Sequence, residues 1–261
     1  MTAFLRRLCT GVLIVAVALS LSPGAVRAAE WAVPDPGSSW QYQLSGTLDL
    51  KVEADVFDID GFETKARQVI GLHEQGHYAI CYVSAGAWER WRPDASDFPK
   101  RLLGRGNGWP GERWLDVRRL RRLKPVMRQR LDMCEKKGFD AVEFDNVDGF
   151  RNRTGWPLKA AHQLRFNRFL ARAAHSRGLA AGLKNDLSQV RALVDDFDFA
   201  INEQCWQYRE CRLLRPFTRA GKAVFNVEYR LDRSDFCDRA DERGFGAIRK
   251  RLSLRAWRRA C

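Results

Sequence analysis

The sequence predicts a single-domain α/β protein, a closed (β/α)8 barrel of the TIM type, and three observations carry that prediction. Eight short runs have β character: residues 40–44, 56–60, 77–84, 139–145, 179–185, 197–203, 223–229 and 244–250. Helical patterns lie between most of them, over 62–74, 123–137, 158–177, 186–195 and 210–220. A glycine stands at the end of helix after helix, just before a strand, at Gly76, Gly138, Gly178 and Gly221, the residue that a left-handed helix exit favours. Alternation argues for a parallel sheet and eight units argue for closure; a doubly wound open sheet is the alternative.

The chain opens with an export signal over residues 1–28. Arg6 and Arg7 form a positive start, Gly11 to Leu19 is an apolar run too short to span a bilayer, and Val26-Arg27-Ala28 fits a small-residue cleavage site. The arginine pair also fits twin-arginine export, and an uncleaved anchor is the alternative to cleavage. The mature domain is then residues 29–261, secreted or periplasmic. Removing the leader takes away three arginines and no acids, so the formal charge of +13 falls to +10. Much of the excess lies in Arg118–Arg122 and in the tail from Arg249 to Arg259, which suits contact with an anionic cell surface or a solvated helix face. No interleaving of aromatic and basic residues points to nucleic acid.

Cysteine usage agrees with export. The mature chain keeps Cys81, Cys134, Cys205, Cys211, Cys237 and Cys261. Six cysteines allow fifteen pairings; Cys205 with Cys211 closes a short loop, Cys237 with Cys261 ties down the C-terminus, and Cys81 is left with Cys134. No CxxC pair calls for structural zinc.

In a barrel the working residues lie at the C-terminal ends of strands. Those ends carry Asp58 and Asp60, Tyr82 and Ser84, Asp145 and Asp148, Lys184 and Asn185, Asn202 and Glu203, and Asn226 and Glu228, whereas the strand bodies are apolar. The run Asp140 to Asp148 is the most acidic of them. Carboxylates so close repel one another, so a chain keeps them where a ligand or a reaction needs them. Other motifs fail on context. His73-Glu74-Gln75-Gly76-His77 matches a zinc-protease pattern, but Gly76 ends the helix before the second histidine can share its face. Ser84 lacks the leading glycine of a nucleophile elbow, and Gly104-Arg105-Gly106 follows no strand and reads as a flexible loop. Asn152-Arg153-Thr154 is a glycosylation sequon if the host modifies such sites.

An exported barrel whose mouth holds carboxylates and aromatics, with no metal or cofactor motif, suits glycoside cleavage. That reaction needs one carboxylate as nucleophile or base, one carboxylic acid as proton donor, and aromatic faces for sugar rings. Trp88, Trp91, Trp109, Trp114, Trp156 and Trp206 all fall in predicted loops past strand ends.

At these positions the sequence resembles glycoside hydrolase family 114. The resemblance rests on Trp40 to Gly46, Cys81 to Gly86, Glu143 to Gly149, Gly182 to Asp186 and Phe199 to Cys205, and it covers about residues 38 to 235. Phe144 stands where many members are expected to carry proline. The resemblance implies an endo-α-1,4-polygalactosaminidase-like enzyme, with Asp145 as nucleophile and Glu203 as acid/base, acting on a galactosaminogalactan-like polysaccharide with retention. Ile201, Cys205 and Trp206 then offer an apolar setting that keeps Glu203 protonated. Tyr82 and Trp206 are the stacking surfaces, while Ser84, Asp148, Lys184, Asn185 and Glu228 hold sugar hydroxyl or amino groups. No metal or cofactor is required, and the domain is a monomer. The competing function is a carbohydrate-binding or envelope-associated barrel without turnover.

Overall fold

The structure, a computed structural model, describes residues 31–261; the leader and its cleavage site lie outside the described residues. In chain order the strands are β1 (Trp40–Gln43), β2 (Val56–Asp60), β3 (Tyr78–Ser84), β4 (Ala87–Glu89), β5 (Glu112–Trp114), β6 (Ala141–Asp145), β7 (Ala180–Lys184), β8 (Phe199–Glu203), β9 (Val224–Glu228), β10 (Phe245–Lys250) and β11 (Arg258–Ala260). The helices are α1 (Ala66–His73), α2 (Leu120–Lys137), α3 (Ala160–His175), α4 (Val190–Leu193), α5 (Arg215–Arg219) and α6 (Cys237–Asp241).

Strands β1-β2-β3-β6-β7-β8-β9-β10 pair in that order, each parallel to the next, and β11 adds antiparallel to β10. The sheet curls until its ends meet. Lys250 Nζ donates to Gln41 Oε1 at 2.9 Å, and Arg258 of β11 donates to the Trp40 carbonyl at 2.8 Å. All eight predicted barrel strands are present, and β4 and β5 form a separate antiparallel ribbon between β3 and α2.

Strand alternation decides what faces inward. The barrel interior is filled by Trp40, Tyr42, Val56, Ile80, Ala141, Ala180, Phe199, Ile201, Phe225, Val227 and Ile248. Val142, Phe144, Ala181, Leu183 and Ala200 face the helices instead. Continuing the inward parity to the strand ends brings Glu143 and Asp145, Lys184, Glu203 and Tyr229 to the mouth. Close packing below it requires Gly182, where a Cβ would sit 2.5 Å from the Phe199 ring.

The predicted helices shift where side chains intervene. Helix α1 starts four residues later than the pattern from 62 suggests. Asp60 Oδ1 accepts from the Phe62 and Glu63 N–H groups, both at 2.9 Å, a local turn that competes with helix. The pattern over 186–195 is only a 3-10 turn and the short α4, because Asn185 and Asp186 take positive φ of 50° and 41°. Likewise 210–220 is a 3-10 turn followed by α5. Helix α6 and strands β4, β5 and β11 had no clear pattern in the sequence.

Two expectations are corrected. The segment from Arg249 is no free tail, since it ends in β11 and is tied back by Cys237–Cys261. The glycine loop after Leu103 is pinned, with Gly104 N–H on the Trp114 carbonyl at 2.7 Å and Arg105 N–H on the Thr154 carbonyl at 2.8 Å. The other disulfides are Cys81–Cys134, joining β3 to α2, and Cys205–Cys211, so all three pairings are as expected. Among the described residues, no helix is long and apolar enough to cross a membrane.

Candidate active site

Lys184, at the end of β7, is the centre of the barrel mouth. Its ammonium lies 2.6 Å from Glu143 Oε1, 3.4 Å from Asp145 Oδ1 and 3.6 Å from Glu203 Oε2, and it donates to Tyr42 Oη at 2.8 Å. Burial works against its charge, but Asp145, Glu143 and Glu203 outweigh burial and hold the lysine well above its ordinary pKa. With so many acceptors around it, this ammonium is committed to the protein and not free for a sugar hydroxyl.

Asp145 is partly exposed. Its Oδ2 accepts from the Tyr82 hydroxyl at 2.8 Å and from Asn146 Nδ2 at 3.1 Å. Asn146 takes φ +62° and its Nδ2 also donates to Ser84 Oγ at 3.0 Å. Ser84 is fully buried, so it supports Asn146 from behind and does not face the cleft. The turn needs glycine at 86, where a Cβ would lie 1.6 Å from the Asn146 carbonyl oxygen. Burial, then the Asp145 charge, pushes the Tyr82 phenol well above its usual range, so it remains a donor.

Glu203 is partly exposed on the other side of Lys184, at the end of β8. Tyr229 donates to its Oε1; Asn185 Nδ2 donates to its Oε2 at 3.3 Å, and Asn185 Oδ1 accepts from the Glu203 N–H at 3.0 Å. The carboxyl is therefore in polar company, not the apolar setting that its sequence neighbours suggest. Asp145 Oδ1 and Glu203 Oε2 both reach Lys184 Nζ, so they are no further apart than those two distances combined, about 7 Å.

Beneath the pair, Glu143 and Asp58 are fully buried. Burial, then the Glu143 charge, pushes Asp58 well above the usual carboxylate range. Glu143 is also raised by burial, against the pull of Lys184.

Two arms of a cleft meet at Glu203. One, of about 370 Å3, holds Asp145, Tyr82 and Tyr42 with Trp91, Trp109, Glu112 and Arg92. The other, of about 350 Å3, holds Asp148, Asn185, Asp186, Tyr208, Glu210 and Arg151. Burial, then Asp145, raises Asp148 to about 6; burial, then Asp148, raises Asp186 to about 8.

Of the residues singled out in the sequence, Tyr82, Asp145, Asp148, Lys184, Asn185 and Glu203 come together here. Trp206 and Glu228 do not line the cleft. Trp206 is buried, at 6% exposure, with the Arg239 and Arg243 guanidinium groups over its ring at 4.9 and 4.7 Å, so it offers no open face to a sugar in the cleft. Glu228 is buried and accepts from the Trp206 N–H at 2.9 Å. Burial raises it to about 7. Sequence reasoning missed Tyr42, Tyr229 and Asn146. Tyr229 was legible, because it continues the inward parity of Phe225 and Val227 while Glu228 has the outward one. Of the six loop tryptophans, Trp91 and Trp109 are exposed in the cleft, at 52% and 57%. The zinc-protease pattern fails as expected: His73 pairs with Asp140 at 2.9 Å, while His77 lies beyond the helix end against Phe57.

A pair of partly exposed carboxylates side by side in a cleft is the constellation of glycoside cleavage, and comparison with known proteins gives the family. The model of glycoside hydrolase family GH114 matches residues 21–261. The chain belongs to glycoside hydrolase family 114. The family match takes in the segment from Arg249 that the sequence resemblance left out. Among solved structures, Ega3 of Aspergillus fumigatus in complex with galactosamine is 35% identical, with a TM-score of 0.84 over 90% of this chain and 100% of that one. The glycoside hydrolase domain of PelA from Pseudomonas aeruginosa shares the fold at 15% identity and TM-score 0.71, over 85% of this chain and 98% of that one. The α-galactosidase TtGalA of Thermus thermophilus shares it at 14% identity and TM-score 0.53, over 84% and 59%. No curated protein sequence matches the chain.

Proposed function

We propose that this glycoside hydrolase is exported and cleaves within an α-1,4-linked, galactosamine-containing polysaccharide with retention, Asp145 acting as nucleophile and Glu203 as acid/base. The observation that carries this reading is the pair itself, two partly exposed carboxylates that flank Lys184 from the ends of β6 and β8, within a limit of about 7 Å that takes in the roughly 5 to 5.5 Å of direct attack on the sugar. Asp145 attacks the anomeric carbon as Glu203 protonates the leaving oxygen; Glu203 then deprotonates water, which releases the sugar. Tyr82 and Asn146 orient the first carboxylate, and Tyr229 and Asn185 the second.

Cleft composition supports a cationic polymer despite the basic chain. Asp60, Glu63, Glu89, Glu112, Asp145, Asp148, Asp186, Glu203 and Glu210 line the two arms, against Arg92, Arg151 and Lys184. Such a cleft concentrates amino sugars, and a relative of 35% identity is seen with galactosamine. Two arms on either side of Glu203 suit cleavage inside a chain, with Trp91 and Trp109 as stacking faces. Three disulfides support export to an oxidising compartment. The domain acts as a monomer, and its arginine-rich C-terminal segment favours anionic cell surfaces.

The test is release of new reducing ends from a panel of polysaccharides, with mass spectrometry of the products. Galactosamine oligomers are the expected products. Binding of the polymer without any product would point to a carbohydrate-binding barrel.

A further inference from the structure

We propose that Lys184 is the counter-ion of both halves of the reaction, balancing Asp145 before glycosyl transfer and Glu203 after it. This rests on the assignment of Asp145 and Glu203 made above. In the first step Asp145 forms a bond to the anomeric carbon, the bond to the leaving oxygen breaks, and that oxygen takes the Glu203 proton. The negative charge therefore leaves Asp145 and reappears on Glu203. In the second step Glu203 takes a proton from water, the hydroxyl oxygen bonds the anomeric carbon, and the bond to Asp145 breaks, which returns the charge.

One ammonium can serve both states without moving. Lys184 Nζ is almost equidistant from the two, at 3.4 Å from Asp145 and 3.6 Å from Glu203. It is held there from below by Glu143 at 2.6 Å and Tyr42 at 2.8 Å, and its side chain is buried, at 1% exposure, so water screens the interaction little. A fixed charge that needs no reorganisation as the substrate's charge shifts is an effective form of electrostatic catalysis. Glu143 and Tyr42 act as positioning residues.

Lys184→Met removes the charge and keeps the length of the side chain. A double variant, Lys184→Met with Glu143→Gln, removes the charge without leaving a buried unpaired carboxylate, so that folding is retained. With a 2,4-dinitrophenyl glycoside of an α-1,4-galactosamine oligosaccharide, the pre-steady-state burst reads the first step and steady turnover reads the second. Both rates are expected to fall by about 10²- to 10³-fold, and on the natural polymer, whose leaving oxygen needs the Glu203 proton, both limbs of the pH–rate profile should move to higher pH. A slower enzyme with an unmoved profile, or a loss confined to one step, overturns the inference and leaves the catalytic pair standing. An active Asp145→Asn variant overturns the pair and the inference together.

Discussion

Asn185 brackets Glu203 from the neighbouring strand: its Oδ1 accepts the Glu203 N–H at 3.0 Å while its Nδ2 donates to Glu203 Oε2 at 3.3 Å. Main chain and side chain of Glu203 are thus both held by one residue. With the carboxyl so placed, Glu203→Ala should lose turnover severely on natural polymer but much less on an aryl glycoside whose leaving group needs little protonation. Azide should rescue this variant and give a glycosyl azide of retained configuration, since the covalent intermediate still forms. Equal losses on both substrates would remove Glu203 from the acid role.

Asp145→Asn takes away the proposed nucleophile while leaving one oxygen for the Tyr82 hydroxyl. Turnover should fall by several orders of magnitude whatever the leaving group. Initial rates on polymer and on aryl glycoside check this, and near wild-type rates on either would move the nucleophile to another strand.

Activity should survive a chelator. The cation that Asp145 and Glu203 share is the Lys184 ammonium, and a divalent ion at that place would meet a fixed positive charge. Turnover measured after EDTA treatment should equal that of untreated enzyme. Loss that added metal restores would require a different mechanism.

The Cys205–Cys211 bridge closes the loop directly behind Glu203, where Gln204 N–H binds the Val227 carbonyl at 2.8 Å and Trp206 N–H binds Glu228. Replacing both cysteines by serine should cost about 2 to 3 kcal/mol for so short a loop. Denaturant unfolding measures the loss, and peptide mapping of the non-reduced protein checks the pairing. An unchanged midpoint would show that the loop holds without the bond.

Stability should depend on pH through the second arm of the cleft. Asp186 rises from 3.8 to about 8 and Asp148 from 3.8 to about 6, chiefly by burial, so the folded state holds more protons than the unfolded one. Their contribution is fully present below about pH 4 and is lost as pH rises through about 6 and then about 8. Asp186→Asn removes the larger part, and asparagine accepts the positive φ there. Thermal unfolding of both proteins from pH 4 to 8 should show the variant gaining on the wild type as pH rises; a variant that loses ground would reverse the sign.

The sequence by itself determined the barrel, its strand ends and the family, because strand alternation, helix-closing glycines and short motifs act over a few residues and survive without knowledge of the rest of the chain. Of the disulfides only Cys205–Cys211, six residues apart, is local in this sense; Cys81–Cys134, 53 apart, followed as the pair left over. It also brought out Asp145 and Glu203, since both continue the inward parity of apolar neighbours, Ala141 in one strand and Phe199 with Ile201 in the other. Only the tertiary structure decided what those carboxylates touch. Trp206 and Glu228 follow a strand end as a site residue would, yet packing turns them toward Arg239, Arg243 and each other. Lys184 reads from sequence as a hand for sugar hydroxyls, but pairing of β7 with β6 and β8 brings it against Glu143, Asp145 and Glu203, and barrel closure brings it against Tyr42 of β1. Contacts between residues 142 positions apart, as between Tyr42 and Lys184, have no local signature; they exist because the sheet closes on itself.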